Sequence, residues 1–312
     1  MPEQGVVRGE VVVAFAGDIM LDRDVWLKMK QFGVEYPFKH VGTIVGDPEL
    51  FVANLEGPVT DRGTHAVPNG SLLFKFDPST VAPLKTTGID AVSLANNHTR
   101  NQGQAGLDDT RRLLNEATVA HFGDPRLMDA EYVWRTERNG RSFAFVGWNR
   151  IEVADDRRDA TIDLVRTLDG EVDAVVVLPH WGAEYVAQRQ AEVDDARALI
   201  DAGADLIIGA HPHVVQGVEV YRDRLIAYSL GNFIFDQYWS TPTQQGLVVA
   251  ITFDEANVVT AELRPVVVPK AQPRLASDEE RSTILERIAS MSAPALREQI
   301  LSGRLTLPAI IE

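Results

Sequence analysis

Five times along this chain a short apolar run stops at a residue able to bind a metal. VVVAFAGD stops at Asp18, LFVANLE at Glu56, DAVSLANNH at Asn97 and His98, DAVVVLPH at His180, and DLIIGAHPH at His211 and His213. Each run is rich in β-branched residues and is followed by turn or helix signals, so each reads as a buried strand. Neighbouring strands lie about 4.8 Å apart, so strand ends on one edge of a sheet can converge on one crevice. Open α/β sheets place their sites in such crevices. A chain punctuated in this way must bring five segments, spread from residue 18 to residue 213, to one place. That requirement argues for one large domain over residues 1–270, with residues 271–312 as a C-terminal helical appendage.

The elements between the runs fill in an α/β fold. Helices are expected over 22–33, 77–88, 106–117, 156–169 and 187–203, with residues 34–46 as a loop. Residues 60–78 carry turn formers and read as an irregular loop over the site. Three hairpins are expected: 132–148 turning at Asn139-Gly140, 218–236 turning at 222–224, and 246–268. The tail at 277–303 reads as amphipathic helix. Parallel and antiparallel strands together suggest a layered sheet core with helices outside.

Composition narrows the partners. The chain has 312 residues, no cysteine and a net charge of −15. Thiolate metal sites and disulfides are therefore excluded. The acidic balance argues against non-specific binding to nucleic acid or anionic membrane. It leaves room for an anionic substrate, because divalent ions would reverse the local sign. No apolar run approaches the roughly 18 residues that span a bilayer, and the first residues have no signal-like core. The expectation is a cytoplasmic protein without an integral membrane segment.

The donors form a hard to borderline N/O set of Asp, Glu, Asn and His. Such a set suits manganese, iron or zinc and does not choose among them. It is too large for one tetrahedral zinc and fits two divalent ions sharing a carboxylate. On an extended segment His211 and His213 would point the same way, with Pro212 stiffening the link. His98 could ligate, or face substrate as an acid or base. Glu184, four residues past His180, could orient that ring or work on substrate. Arg23 and Arg100 lie just past two ligand turns and could hold an anionic group. Asn232, in a polar turn between apolar residues, could line the crevice. His40, His65 and His121 have no partner signal.

Six stretches, GDIMLDR (17–23), NLEGPVT (54–60), SLANNH (93–98), PHWGAEY (179–185), GAHPHVVQG (209–217) and SLGNFIFD (229–236), together resemble the CapA family of poly-γ-glutamate capsule-biosynthesis proteins. That family is similar in fold to the calcineurin-like metallophosphoesterases. The resemblance implies a four-layer α/β/β/α sandwich and a two-metal crevice. It puts Asp18 and His213 on a first ion, Asn97, His180 and His211 on a second, Glu56 between them and His98 beside them as catalytic acid. One place departs from the phosphoesterase pattern: Met20 stands where a His is expected, so Asp22 or water would have to complete the first site. The resemblance also implies a membrane-anchored relative, which this chain does not match.

Three functions follow as expectations. The first is metal-dependent hydrolysis of a peptide-like or glutamyl substrate. The second is metal-dependent epimerisation of a peptide residue, with His98 and Glu184 exchanging a Cα proton. The third is a non-catalytic subunit of capsule synthesis.

Overall fold

The computed structural model describes residues 9–68, 70, 72–151, 156–254 and 257–307. The chain ends, and the turn of the third expected hairpin at 255–256, lie outside the described residues. In chain order the strands are β1 (Val11–Ile19), β2 (Leu50–Leu55), β3 (Ala91–Ser93), β4 (Ala120–Phe122), β5 (Trp134–Arg138), β6 (Arg141–Asn149), β7 (Ala174–His180), β8 (Leu206–Ile208), β9 (Val218–Tyr221), β10 (Arg224–Ala227), β11 (Asn232–Ile234), β12 (Gln245–Asp254), β13 (Asn257–Val267), β14 (Arg274–Leu275) and β15 (Arg304–Thr306). The α-helices are α1 (Arg23–Phe32), α2 (Val41–Val45), α3 (Val81–Thr86), α4 (Gly103–Glu116), α5 (Asp156–Asp169), α6 (Gln190–Asp201), α7 (Asp278–Ser290) and α8 (Arg297–Ser302). Residues 34–46, expected as a loop, contain α2, whose Val41, Ile44 and Val45 are buried.

Two sheets form. One runs β14-β13-β12-β1-β2-β3-β4, with β11 also paired to β1 and β15 to β13; the other runs β5-β6-β7-β8-β10-β9. In both, the central strands that carry the ligand runs are parallel. Alternation along each strand sorts the side chains into layers. Val11, Val13 and Phe15 of β1 meet Val176 and Leu178 of β7 in the cluster between the sheets. Ala14 and Ala16 face the other way, into a cluster with Val25 of α1, Leu84 of α3 and Leu107 of α4. Val175 and Val177 of β7 pack with Val165 of α5 and Leu199 of α6. Three apolar interfaces separate four layers, the α/β/β/α sandwich.

The turn at Asn139-Gly140 has positive φ at both residues, 51° and 74°, as a two-residue hairpin of the primed type requires. The segment 218–236 is not one hairpin. β9 and β10 form it, and the chain then crosses through Gly231 (φ 66°) so that β11 joins the other sheet beside β1. The crossing is tight: a Cβ on Gly17 would lie 1.8 Å from the Gly231 carbonyl oxygen. The tail is not set apart as an appendage. Ile284, Leu285 and Ile288 of α7, Ile300 of α8 and Leu305 of β15 belong to the inter-sheet cluster, because an amphipathic helix must bury its apolar stripe. Among the described residues no helix is long and apolar enough to cross a membrane.

Candidate metal centre

The five expected strand ends do meet, and each side chain is placed by the way its strand stops. Asp18 lies on β1 in register with Asn54 of β2 and Asn232 of β11. Glu56 follows β2, its amide donating to the Ile19 carbonyl at 2.9 Å. After β3 the Asn96 carboxamide fastens the next turn. Its Nδ2 donates to Asn54 Oδ1 at 3.1 Å and to the Leu55 carbonyl at 2.9 Å. Its Oδ1 accepts from the amides of His98 and Thr99. That turn presents Asn97 to His180 at the end of β7, with Asn97 Oδ1 2.8 Å from His180 Nε2.

His211 and His213 converge by a different route from the one expected. The segment is a bend, with φ of 97° at His211 and 57° at His213, and not an extended strand. Strand β8 has already ended at Ile208, and the His211 amide turns in to donate to Asp18 Oδ2 at 3.3 Å. Left-handed backbone at non-glycine residues is costly and concentrates at functional sites. The rings nonetheless face one centre, 5.8 Å apart.

Among the described residues three overlapping groups have ligand atoms within 4.8 Å of one another: Asp18, Glu56 and His213; Glu56, His180 and His211; and Glu184, His211 and His213. His211 Nδ1 faces His180 Nε2 at 3.2 Å. His213 Nδ1 lies 3.2 Å from Asp18 Oδ2, and its Nε2 lies 3.6 Å from Glu56 Oε1. The electrostatics call for cations. Glu56 is fully buried and neither carboxylate oxygen has a hydrogen-bond partner. Burial, reinforced by the charges of Asp18 and Glu184, raises its pKa well above the carboxylate range. An unpartnered buried carboxylate is rare without a counter-charge. Burial also holds His180 well below the usual imidazole value, and His211 down to about 4. Both are therefore neutral at ordinary pH, the form in which imidazole ligates. The donors present are of the kind that binds divalent metal.

Several side chains take places that differ from expectation. Asp22 is not part of the centre. Its Oδ1 takes His65 Nδ1 at 2.7 Å, and its Oδ2 takes the amides of Ala66 at 3.0 Å and Lys75 at 2.9 Å. It pins the 60–78 loop, and His65, given no role by the sequence, is the other half of that pin. Met20 is buried in the apolar cluster of the first sheet, its sulfur accepting the Asp22 amide. Asn232 is fully buried beneath the centre, with Oδ1 3.1 Å from His213 Nδ1 and Nδ2 donating to the Thr243 carbonyl. It positions a ring and does not meet the cavity. Glu184 approaches His211 and His213, while the other nitrogen of His180 is met by Asn54 Nδ2 at 3.3 Å. Asn54 also donates to Asp18 Oδ1 at 2.8 Å, which makes it the amide that joins the two halves of the centre. Its spacing was a usable signal: it lies on β2, two residues before Glu56.

A cavity of about 70 Å3 opens on the centre, lined by Glu56, His98, Glu184, His213 and Arg23, with Phe74 and Leu72 from the 60–78 loop. Arg23 is buried, ion-paired with Asp236, and its guanidinium lies over the Phe74 and Phe235 rings. Arg100, His40 and His121 do not line it. His98 Nδ1 lies 3.0 Å from Asn101 Oδ1, which leaves Nε2 toward Glu56 Oε1 at 3.8 Å.

The family is decided by sequence. Residues 12–237 match the model of the bacterial capsule synthesis protein PGA_cap. The chain belongs to that family. It is 29% identical over 287 residues to the capsule biosynthesis protein CapA of Bacillus anthracis, covering 85% of this chain and 69% of that one. It is 30% identical over 277 residues to the PGA biosynthesis protein CapA of Bacillus subtilis, covering 83% and 72%. Among solved structures, a phosphatase from Mycoplasma pneumoniae superposes with a TM-score of 0.52 at 13% identity, over 84% of this chain and 95% of that one. That likeness is one of fold.

Proposed function

We propose that this protein is a divalent-metal-dependent hydrolase acting on a carbonyl or phosphoryl group of a peptide-like or glutamyl substrate. The observation that carries the reading is Glu56, buried, with both oxygens unpartnered, inside a ring of Asp18, His180, His211 and His213. Asp18, Glu56 and His213 would hold one ion, and Glu56, Asn97, His180 and His211 the other. Ions bound there supply Lewis acidity toward a substrate oxygen and lower the pKa of water.

The chain's own residues supply the rest. Asn101 accepts from His98 Nδ1–H, so the neutral ring presents Nε2 to the cavity as a proton acceptor. Burial lowers its pKa to about 4, which keeps it in that form. The acid role implied by the family resemblance requires the ring to take up a proton during the reaction and pass it to the leaving group. Phe74 packs on His98 with ring centroids 4.5 Å apart and fixes its plane. Arg23, ion-paired with Asp236, lines the cavity beside the centre.

The test is metal content with turnover. Protein dialysed against manganese or zinc should hold about two ions per chain and cleave members of a peptide and phosphoester panel. His98→Ala should keep the ions and lose cleavage. Less than one ion per chain would sink the reading. Deuterium entering one Cα without bond cleavage would replace hydrolysis by epimerisation. Capsule assembly undisturbed by His98→Ala would replace it by a non-catalytic role.

A further inference from the structure

Part of the exposed apolar surface gathers at one place. Leu72 (57% exposed), Tyr185 (42%) and Trp239 (59%) all line the cavity over the metal centre. Leu73 and Val186, also exposed, continue from them along the chain. Tyr185 and Trp239 meet edge to face, with centroids 5.5 Å apart. The Tyr185 hydroxyl accepts from Gln237 Nε2 at 3.2 Å, which fixes the ring at the mouth. Trp239 extends the lining into an adjoining cavity bounded by Arg23, Asp24, Pro68, Asp236 and Tyr238. Contiguous exposed apolar surface beside a cleft marks a recognition surface.

The ionisable side chains around this surface are mostly acidic. Glu56 and Glu184 line the first cavity, and Asp24 and Asp236 the second. Among the described residues Arg23 is the only lysine or arginine lining either, and it is paired with Asp236. A polymer with a carboxylate on every residue would bring repeated negative charge against Glu184 and Asp24, with no rim cation to meet it. A substrate with one oxygen-bearing group at the centre and an apolar neighbour meets no such repulsion. It would cover Leu72, Tyr185 and Trp239.

We propose that the substrate is an acyl or peptidyl compound whose side chain next to the reacting group is apolar, seated on Leu72, Tyr185 and Trp239, and not a polyanionic glutamyl chain. This rests on the metal-centre reading above and selects within it. The test is calorimetric binding to manganese-loaded protein of three hydroxamates: acetohydroxamate, N-acetylphenylalanine hydroxamate and N-acetylglutamate α-hydroxamate. The phenylalanine compound should bind about tenfold or more tighter than acetohydroxamate, the scale of discrimination an apolar pocket supplies. The glutamate compound should bind no tighter than acetohydroxamate. Trp239→Ala with Leu72→Ser, both at exposed positions, should cut the phenylalanine advantage below about threefold, leave acetohydroxamate unchanged, and be partly rescued by Trp239→Phe. Glutamate binding as tightly as phenylalanine, or an advantage that survives the double substitution, overturns the assignment while leaving the metal centre standing. A dimer in sedimentation that Trp239→Ala dissociates would also overturn it, since a second copy would then cover the mouth. Failure of acetohydroxamate itself to bind would remove the metal-centre reading and this inference with it.

Discussion

The two sheets bring opposite chemistry to their shared edge. β1 and β2 end in the carboxylates of Asp18 and Glu56, whereas β7 and the bend after β8 bring the imidazoles of His180, His211 and His213. Without ions the halves are not equally comfortable. His180 is neutral, with Asn97 at one nitrogen and Asn54 at the other. Glu56 is fully buried, and neither of its oxygens receives a hydrogen bond. The imidazole half is prepared for a cation, and the carboxylate half is strained without one. A ligand set can therefore be pre-organised on one side and destabilising on the other, with the ion resolving both.

The sharpest way to break the symmetry is to remove one isosteric ligand from each half. Glu56 belongs to two of the ligand groups, one shared with Asp18 and the other with His180. Glu56→Gln should therefore weaken both ions by about a hundredfold or more, beyond the 10–100-fold typical of supporting residues. His180→Gln should cost one ion and leave the other near full occupancy. Metal analysis after dialysis decides it; equal losses from the two variants would mean that Glu56 is not shared. The metal-free Glu56→Gln protein should in addition be more stable than its parent in denaturant, and His180→Gln should not.

The halves also meet mechanically, at Gly17 and Gly231. Gly17→Ala forces a methyl into the Gly231 carbonyl, where backbone and not a flexible side chain must yield. Overpacking of this kind costs about 1–3 kcal/mol or more. Denaturant titration should show that loss, with metal affinity falling alongside because β11, and with it Asn232 under His213, is displaced. Unchanged affinity would mean that the joint is structural only. Asn54 is the polar counterpart of that joint, bonded to Asp18 and His180 together. Asn54→Ala should weaken metal binding by about 10–100-fold with little loss of stability, and Asn54→Asp should not restore it.

Much of this comparison was legible in the sequence, for a physical reason. A strand that ends in a ligand must expose it at the sheet edge, so apolar runs ending at Asp18, Glu56, Asn97, His180 and His211 announce their own convergence. What periodicity could not show is where a backbone turns back on itself. His211-Pro212-His213 was expected to be extended and is a left-handed bend. Residues 218–236 were expected as one hairpin, yet β11 leaves for the other sheet at Gly231. Asp22 was expected near the ions, and its carboxylate instead holds two amides and His65 of a loop whose path no short-range signal fixes. In each case the deciding partner is distant in the chain.

The smallest effect separates the halves by pH, with opposite signs. In metal-free protein the folded-state pKa of Glu56 is raised by burial. The stability associated with its protonated form is full below the unfolded carboxylate value of about 4.3 and is lost as pH rises through the raised folded value. His211 is lowered to about 4. The stability associated with its neutral form is full above the unfolded imidazole value of about 6.5 and is lost as pH falls toward 4. The two windows overlap and offset each other between about 4.3 and 6.5, but His180 and His98 are lowered as His211 is, so denaturant midpoints of metal-free protein should decline on both sides of a maximum near the unfolded imidazole value of about 6.5. Glu56→Gln should flatten the alkaline limb and steepen the acid one, and His211→Gln should soften the acid limb. Saturating metal should lift the alkaline limb most, because the ion then takes the place of the proton that Glu56 would otherwise keep. A metal-free profile in which Glu56→Gln moves only the acid limb would reverse the assignment of strain to the carboxylate half.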